Sequence, residues 1–361
     1  MWLDYIRRGQ LRSGEFDRLV GQGVVGVTSN PTIFQLSITE SEDYDAAIQA
    51  GASRGLEGVP LFESLAVEDI QDACDRLRPI WERTQGRDGR VSIEVNPHLA
   101  HDTAGSVAEA RRLHRAVARD NVMVKVPATL EGLPAIATLI GEGICINVTL
   151  IFSLARYQQV MDAWLSGLEA LAARGAALRD MRSVASFFVS RVDTKVDKAI
   201  DEAVQARPAG AETAELQRLK GQAAVANARL AYARFLEVIR SPRFGALVER
   251  GAHPQRPLWA STSTKNPAYR DVIYVEELIG RDTVNTMPPQ TLAAFNDHGV
   301  VEERITRELE KARALFERLP QLGIPLEALI AQLEPEGVAS FAKSFDSLIA
   351  SLESKRKELV T

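Results

Sequence analysis

Val91-Ser92-Ile93-Glu94-Val95 and Val122-Met123-Val124-Lys125-Val126 are two short β-rich runs separated by an amphipathic stretch, Thr103–Arg119. Side chains alternate between branched apolar and other residues in the two runs, while the intervening stretch repeats at helical spacing. The segment therefore predicts strand, helix, strand. The same unit recurs along the chain. Strands are predicted at Trp2–Tyr5, Val24–Thr28, Val91–Val95, Val122–Val126, Ile144–Val148, Val184–Val189, Leu258–Ser261 and Thr283–Thr286, with helical patterns such as Leu154–Leu171 between them. Eight strands alternating with helices favour an α/β fold of the (β/α)8 TIM barrel type over an open doubly wound sheet.

The connections 31–90 and 192–257 exceed an ordinary strand–helix unit, so extra helices are predicted there. Residues 212–240 read as one long helix, because Leu216, Leu219, Ala223, Ala226, Leu230, Ala233 and Leu236 keep a helical period. Residues 300–356 predict two or three further helices, packed around the barrel and over one mouth. No breakpoint rich in Gly, Pro or Ser divides the chain, so residues 1–361 are expected to form a single domain.

The 361 residues are 45% hydrophobic and 25% charged, with a formal net charge of −5. A chain of that length buries a large core without disulfides or metal. The mild acidity and the lack of a dense basic stripe argue against nucleic-acid or membrane-surface partners. Lys355-Arg356-Lys357 reads as the charged end of the last helix. Cys74 and Cys145 lie in apolar stretches and suggest no disulfide framework, which suits a reducing cytosol. No leader pattern opens the chain, and no apolar run reaches the roughly 18–20 residues that span a bilayer. The expectation is a cytoplasmic protein, monomer or homodimer.

In a parallel barrel, strand residues face the helices and the interior in turn. If Val and Ile pack on the helices, then Glu94, Lys125, Asn147 and Thr149 point inward. All four sit late in their strands, at the C-terminal face where barrel enzymes place their sites. Lys125 stands out. The chain has nine lysines against 34 arginines, and Lys125 is the only lysine among the first 194 residues. A lysine amine, unlike a guanidinium, can lose its proton, attack a carbonyl and form a Schiff base, and burial favours the uncharged form. The plainer reading is a buried ion pair with Glu94.

Other strand ends carry weaker signals. Asp4 ends strand 1 as a candidate general base or as a helix N-cap. Thr28-Ser29-Asn30-Pro31 ends strand 2 as a polar turn. Ser186, Phe188 and Ser190 share a face of strand 6 and Arg191 follows, so hydroxyls and a guanidinium fork could seat a phosphate. The alternative for Arg191 is a surface ion pair. Gly21-x-Gly23-x-x-Gly26 precedes a strand, the wrong context for dinucleotide binding, and reads as a turn. His98-x-x-His101-Asp102 lacks further ligands and begins a helix, where Asp102 is a natural cap, so no metal is assigned.

Gly26-Val-Thr-Ser-Asn-Pro-Thr-Ile-Phe34 resembles the signature of the transaldolase family, and Val122-Met-Val-Lys-Val-Pro-Ala-Thr129 resembles that family's Schiff-base strand. Ser92-Ile-Glu-Val-Asn-Pro97, Asn147-Val-Thr-Leu-Ile-Phe152, Ser186-Phe-Phe-Val-Ser-Arg191 and Thr283-Val-Asn-Thr-Met-Pro288 match in order, so the resemblance covers nearly the whole chain. It is nearest the longer bacterial branch and implies a class I aldolase-like barrel with no metal or organic cofactor. The implied reaction transfers a dihydroxyacetone unit between sugar phosphates in the non-oxidative pentose phosphate pathway. By resemblance, Lys125 attacks the C2 ketone of fructose 6-phosphate or sedoheptulose 7-phosphate, and Glu94 with Thr149 holds a proton-shuttling water. Asp4 takes the C4 hydroxyl proton, Asn30 and Asn147 bind the dihydroxyacetone unit, Ser186 and Arg191 grip the phosphate, and Phe188 lines the pocket.

Two departures from the family pattern bear on the site. The chain begins almost on strand 1, where the family has a longer lead, so a frayed first strand is expected. Near strand 7, Ala260-Ser-Thr-Ser-Thr-Lys265 stands where another branch has an arginine, leaving Ser263 or Lys265 as the second phosphate ligand. The related fructose-6-phosphate aldolases carry tyrosine where Glu94 stands, which favours the transferase over a lyase. A non-catalytic sugar-phosphate-binding barrel would have no use for a buried lysine beside a carboxylate.

Overall fold

A computed structural model describes residues 1–360. Eight parallel strands close in sequence order into a barrel: β1 (Trp2–Leu3), β2 (Gly26–Thr28), β3 (Arg90–Glu94), β4 (Val122–Pro127), β5 (Ile146–Ile151), β6 (Ser183–Phe188), β7 (Arg256–Ala260) and β8 (Val284–Met287). All eight predicted strands are present, with ends displaced by up to three residues. Outward-facing Val27, Val91, Val124, Val126, Ile146 and Val148 are fully buried beneath the helices.

The register sets Glu94 beside Lys125 and Lys125 beside Asn147, so these three inward side chains lie at one level of the barrel. One step higher, β5 departs from β6: their register shifts between Val148 and Ile151, where Leu150 has φ +60°. A bulge of this kind re-aims the strand end and is common beside functional sites.

The first strand is not frayed. Its two residues pair with β2 on one side and β8 on the other, and Trp2 and Leu3 have no exposed surface. Gly26 makes this possible, because a Cβ there would lie 2.5 Å from the Trp2 indole. That close approach, with Gly23 at φ +105° in the turn before it, accounts for two of the three glycines that imitate a dinucleotide fingerprint; nothing in the structure requires Gly21.

The long connections hold extra helices, Pro31–Thr39, Asp45–Ser53 and Gly58–Arg83 in the first, and Ser190–Gln205, Ala211–Leu219, Ala223–Ile239 and Pro242–Val248 in the second. The single helix expected over 212–240 is therefore two. Lys220 is extended and Gly221 has φ +72°, with its N–H donated to Asp197 and no room for a Cβ beside the Tyr269 ring. Apolar period survives such a break because it records which face is buried and is blind to one lost turn of hydrogen bonds.

After β8 come Pro289–His298, Leu309–Gln321 and a 35-residue helix, Leu326–Val360. The last crosses the C-terminal mouth: Gly337 rests on Leu150 and Phe152, Glu334 pairs with Arg156, and Asp346 bonds His98. Lys355, near its end, reaches back to Asp45. No helix among the described residues is long and apolar enough to cross a membrane.

Candidate active site

Lys125 issues from the middle of β4, flanked by valines that pack outward, and is 4% exposed. Its Nζ lies 3.0 Å from Glu94 Oε2, donates to the Ser29 carbonyl at 3.1 Å, and sits 5.9 Å from the centre of the Phe341 ring. The contact with Glu94 is the ion pair that a purely structural lysine would also make. What sets Lys125 apart is that it also reaches the wall of a cavity of about 960 Å³ at the C-terminal mouth. Buried pairs are costly to desolvate, and one opening onto a cavity is more readily explained by chemistry than by stability.

Nine of the eleven residues singled out from sequence line this cavity: Asp4, Asn30, Lys125, Thr149, Ser186, Phe188, Arg191, Ser263 and Lys265. Glu94 and Asn147 do not. Glu94 lies behind Lys125 and borders a second cavity of about 30 Å³, large enough for a water. Asn147 is fully buried; its Nδ2 donates to Ser92 Oγ at 3.0 Å and its Oδ1 accepts from Ser186 Oγ at 2.7 Å. The Ser186 hydroxyl proton is thus spent inside the barrel. Thr149 Oγ1 is buried with no hydrogen-bond partner among the described residues.

Asp4 follows β1 and caps no helix. Its Oδ1 accepts a 2.6 Å hydrogen bond from Thr28 Oγ1, which in turn lies 2.6 Å from Thr286 Oγ1. With the Thr28 proton given to the carboxylate, Thr286 must donate to Thr28, so three strands hold one carboxyl group. Burial raises the proton affinity of Asp4 above the ordinary carboxylate range, opposed by Lys125 and by the Thr28 hydrogen bond. Glu94 is raised by burial in the same way, with Lys125 again opposing. Asn30 serves two ends: Oδ1 caps the helix Pro31–Thr39 through Ile33 N at 3.0 Å, while the residue faces the cavity.

At the other end of the cavity, Arg191 has no carboxylate within ion-pairing distance among the described residues, so the surface ion pair does not form. Its guanidinium sits between two rings, 5.2 Å from Phe188 and 5.9 Å from Phe341. Burial lowers its pKa. Lys265 stands exposed at the lip, bonded through Nζ to Ser263 Oγ at 2.6 Å, and its pKa is lowered by burial and then by Arg191. Two cations that repel each other and lack acidic partners form a seat for an anion. His98 and His101 point to separate carboxylates, Asp346 and Glu131, and Asp102 caps its helix through Gly105 N at 2.9 Å.

Thr28, Thr286, Ser92 and Phe341 were not singled out from sequence. Extending the inward–outward alternation to strands 2 and 8 would have exposed the first two. Nothing in the helical period of 326–360 indicates which of its apolar residues meets a substrate.

A parallel barrel whose cavity holds a buried lysine amine 3.0 Å from one glutamate, with a second carboxyl group on the same wall, defines a class of enzyme, one that forms imines with carbonyl substrates. The family model described as Transaldolase/Fructose-6-phosphate aldolase matches residues 1–352, and the chain belongs to that family. It is similar to the Transaldolase of Trichodesmium erythraeum, 45% identical over 99% of this chain and 95% of that protein. Transaldolase 2 of Streptomyces coelicolor is 48% identical over the same shares, 99% and 95%. The Transaldolase of Mycobacterium bovis is 47% identical over 97% of this chain and 92% of its own length.

Proposed function

We propose that this chain is a transaldolase, moving a dihydroxyacetone unit from a ketose phosphate, fructose 6-phosphate or sedoheptulose 7-phosphate, to an aldose phosphate in the non-oxidative pentose phosphate pathway. The observation that carries the reading is Lys125 at the floor of a cavity, 3.0 Å from Glu94, with two unpaired cations at the far end. Glu94, whose proton affinity burial has raised, takes a proton from the amine and frees it to attack C2. A water between Glu94 and Thr149 then carries protons while the carbinolamine loses hydroxide as water to give the imine. Asp4 accepts the C4 hydroxyl proton, the C3–C4 bond breaks, the aldose leaves, and its electron pair settles into an enamine on Lys125. Asn30, on the cavity wall, holds the dihydroxyacetone carbons until the acceptor aldehyde arrives, while Asn147, buried behind it, braces Ser92 and Ser186 and does not touch them. Phe188 lines the channel, and Arg191 grips the phosphate with Ser263 and Lys265, beside Ser186.

Borohydride added with fructose 6-phosphate should reduce the imine and add mass at Lys125 alone. Lys125→Arg should keep the fold and abolish turnover; retained turnover would dismiss Lys125 as nucleophile. Release of free dihydroxyacetone at one rate with and without erythrose 4-phosphate would make the enzyme a lyase. The partners of the reading are sugar phosphates, with no nucleic acid or membrane, for a monomer or homodimer. Its two free thiols suit the cytoplasm.

A further inference from the structure

Lys265 is poorly supported for a residue meant to meet a substrate. It is exposed, and lies on the wall of the main cavity and also on the wall of a separate cavity of about 380 Å³. Arg191 repels it from across the mouth. The segment 261–272 after β7 is tied to β8 at its start, where Thr262 Oγ1 donates to Asn285 Oδ1 at 2.8 Å, and near its end, where Arg270 pairs with Glu276 at 2.9 Å; Lys265 lies between these anchors.

Two buried carboxylates hold it. Asp193 and Asp197 lie one turn apart on the helix Ser190–Gln205, whose second residue is Arg191. Each accepts backbone N–H from the start of the neighbouring helix region, Asp193 from Ala224 at 2.7 Å and Asp197 from Gly221 at 2.9 Å. Each spends its other oxygen on a tyrosine from the β7 side: Tyr274 donates to Asp193 at 2.7 Å and Tyr269 to Asp197 at 2.6 Å. Neither carboxylate has a basic partner within ion-pairing distance among the described residues. Further ties lie at the base, where Ser190 N donates to the Ser261 carbonyl at 3.0 Å and the two serine hydroxyls meet at 3.0 Å. The Tyr269 ring fits against Gly221, where a Cβ would lie 2.6 Å from its Cζ.

We infer that the Tyr269–Asp197 and Tyr274–Asp193 hydrogen bonds are positioning devices that fix Lys265 against Arg191, so that both cations meet one substrate phosphate. The inference rests on the phosphate reading of Arg191 and Lys265. A hydrogen bond spanning helix and loop holds Lys265 in register with Arg191, and its loss should weaken phosphate binding while leaving the chemistry at Lys125 intact.

The test uses inorganic phosphate as a competitive inhibitor, alongside KM and kcat for fructose 6-phosphate, in the wild type, Tyr269→Phe, Lys265→Ala and the double variant. Tyr269→Phe should raise both the phosphate inhibition constant and KM roughly three- to tenfold, with kcat within about twofold. In the Lys265→Ala background the same change should do almost nothing, since no cation remains to be placed. A fall in kcat with KM unchanged, or equal effects in both backgrounds, would mean that Tyr269 merely supports the fold, and overturns the inference. If Lys265→Ala weakens phosphate but Tyr269→Phe does not, the ties fail and the phosphate seat stands. If Lys265→Ala itself leaves phosphate binding unchanged, seat and ties fall together.

Discussion

Asp4 shows how one carboxyl group is prepared for work. Burial raises its proton affinity, while Lys125 and then the hydrogen bond from Thr28, backed by Thr286, oppose the rise and favour the charged form that a base needs. Thr28→Val should therefore raise the proton affinity of Asp4 further. Activity is lost as pH falls through the pKa of a base, so the acidic limb of the kcat profile should move to higher pH, by up to about one unit. An unmoved limb would separate Asp4 from it. Asp4→Asn should cost on the order of 10² to 10⁴ in turnover, the usual worth of a general base, while borohydride still traps the imine on Lys125. At this scale the sequence disclosed Lys125 through composition, since a lone lysine among arginines needs a reason. It disclosed the threonines poorly, because a hydroxyl at a strand end has an ordinary use in turns.

Among elements, strands were the most legible. Branched residues facing the helices and polar ones facing the interior give β3, β4 and β5 both their identity and their orientation, which is why Glu94, Lys125, Asn147 and Thr149 could be placed before any coordinates. Helix ends were less so. The break at Lys220–Gly221 depends on a tyrosine some 50 residues downstream in the chain, and no local pattern announces it. Residues 300–356 were foreseen as two or three helices around the barrel and over one mouth, but not as one 35-residue helix at the end, nor the residue it delivers. Phe341 faces both Lys125 and Arg191. Phe341→Ala should cost about 3 kcal/mol of stability, the low end for a buried Phe since one side meets the cavity. It should also raise the release of free dihydroxyacetone relative to transfer, because the enamine would lose its cover; an unchanged ratio would deny the helix that role.

For the molecule as a whole, Asp193 makes stability depend on pH. Burial pushes its pKa up to about 7 against an ordinary 3.8, with Asp197 adding to the rise and Tyr274 and Ala224 opposing it. The folded chain then holds a proton that the unfolded chain releases, so this contribution is complete below pH 4 and is lost as pH rises toward 7. Its ceiling is about 4 kcal/mol. Asp193→Asn keeps an acceptor for Ala224 and removes the titration. Denaturant unfolding at pH 5 and pH 8 should show the wild type losing ground to Asp193→Asn at the higher pH; parallel curves would contradict the assignment.

The ring of hydroxyls around Asp4 draws on β2 and β8, and β1 itself is held by both. A half-assembled cylinder lacking the eighth strand could already own its nucleophile, since Lys125, Glu94 and Ser29 come from the first half of the chain, yet it would have no tuned base. Such an intermediate could capture a ketose and be unable to cut it. Contacts so distant along the chain form slowly, so in refolding, imine trapping should return before carbon–carbon cleavage. On that order of events, the seam of the cylinder would be its own proof of completion, with bond-breaking waiting until the first and last strands have met.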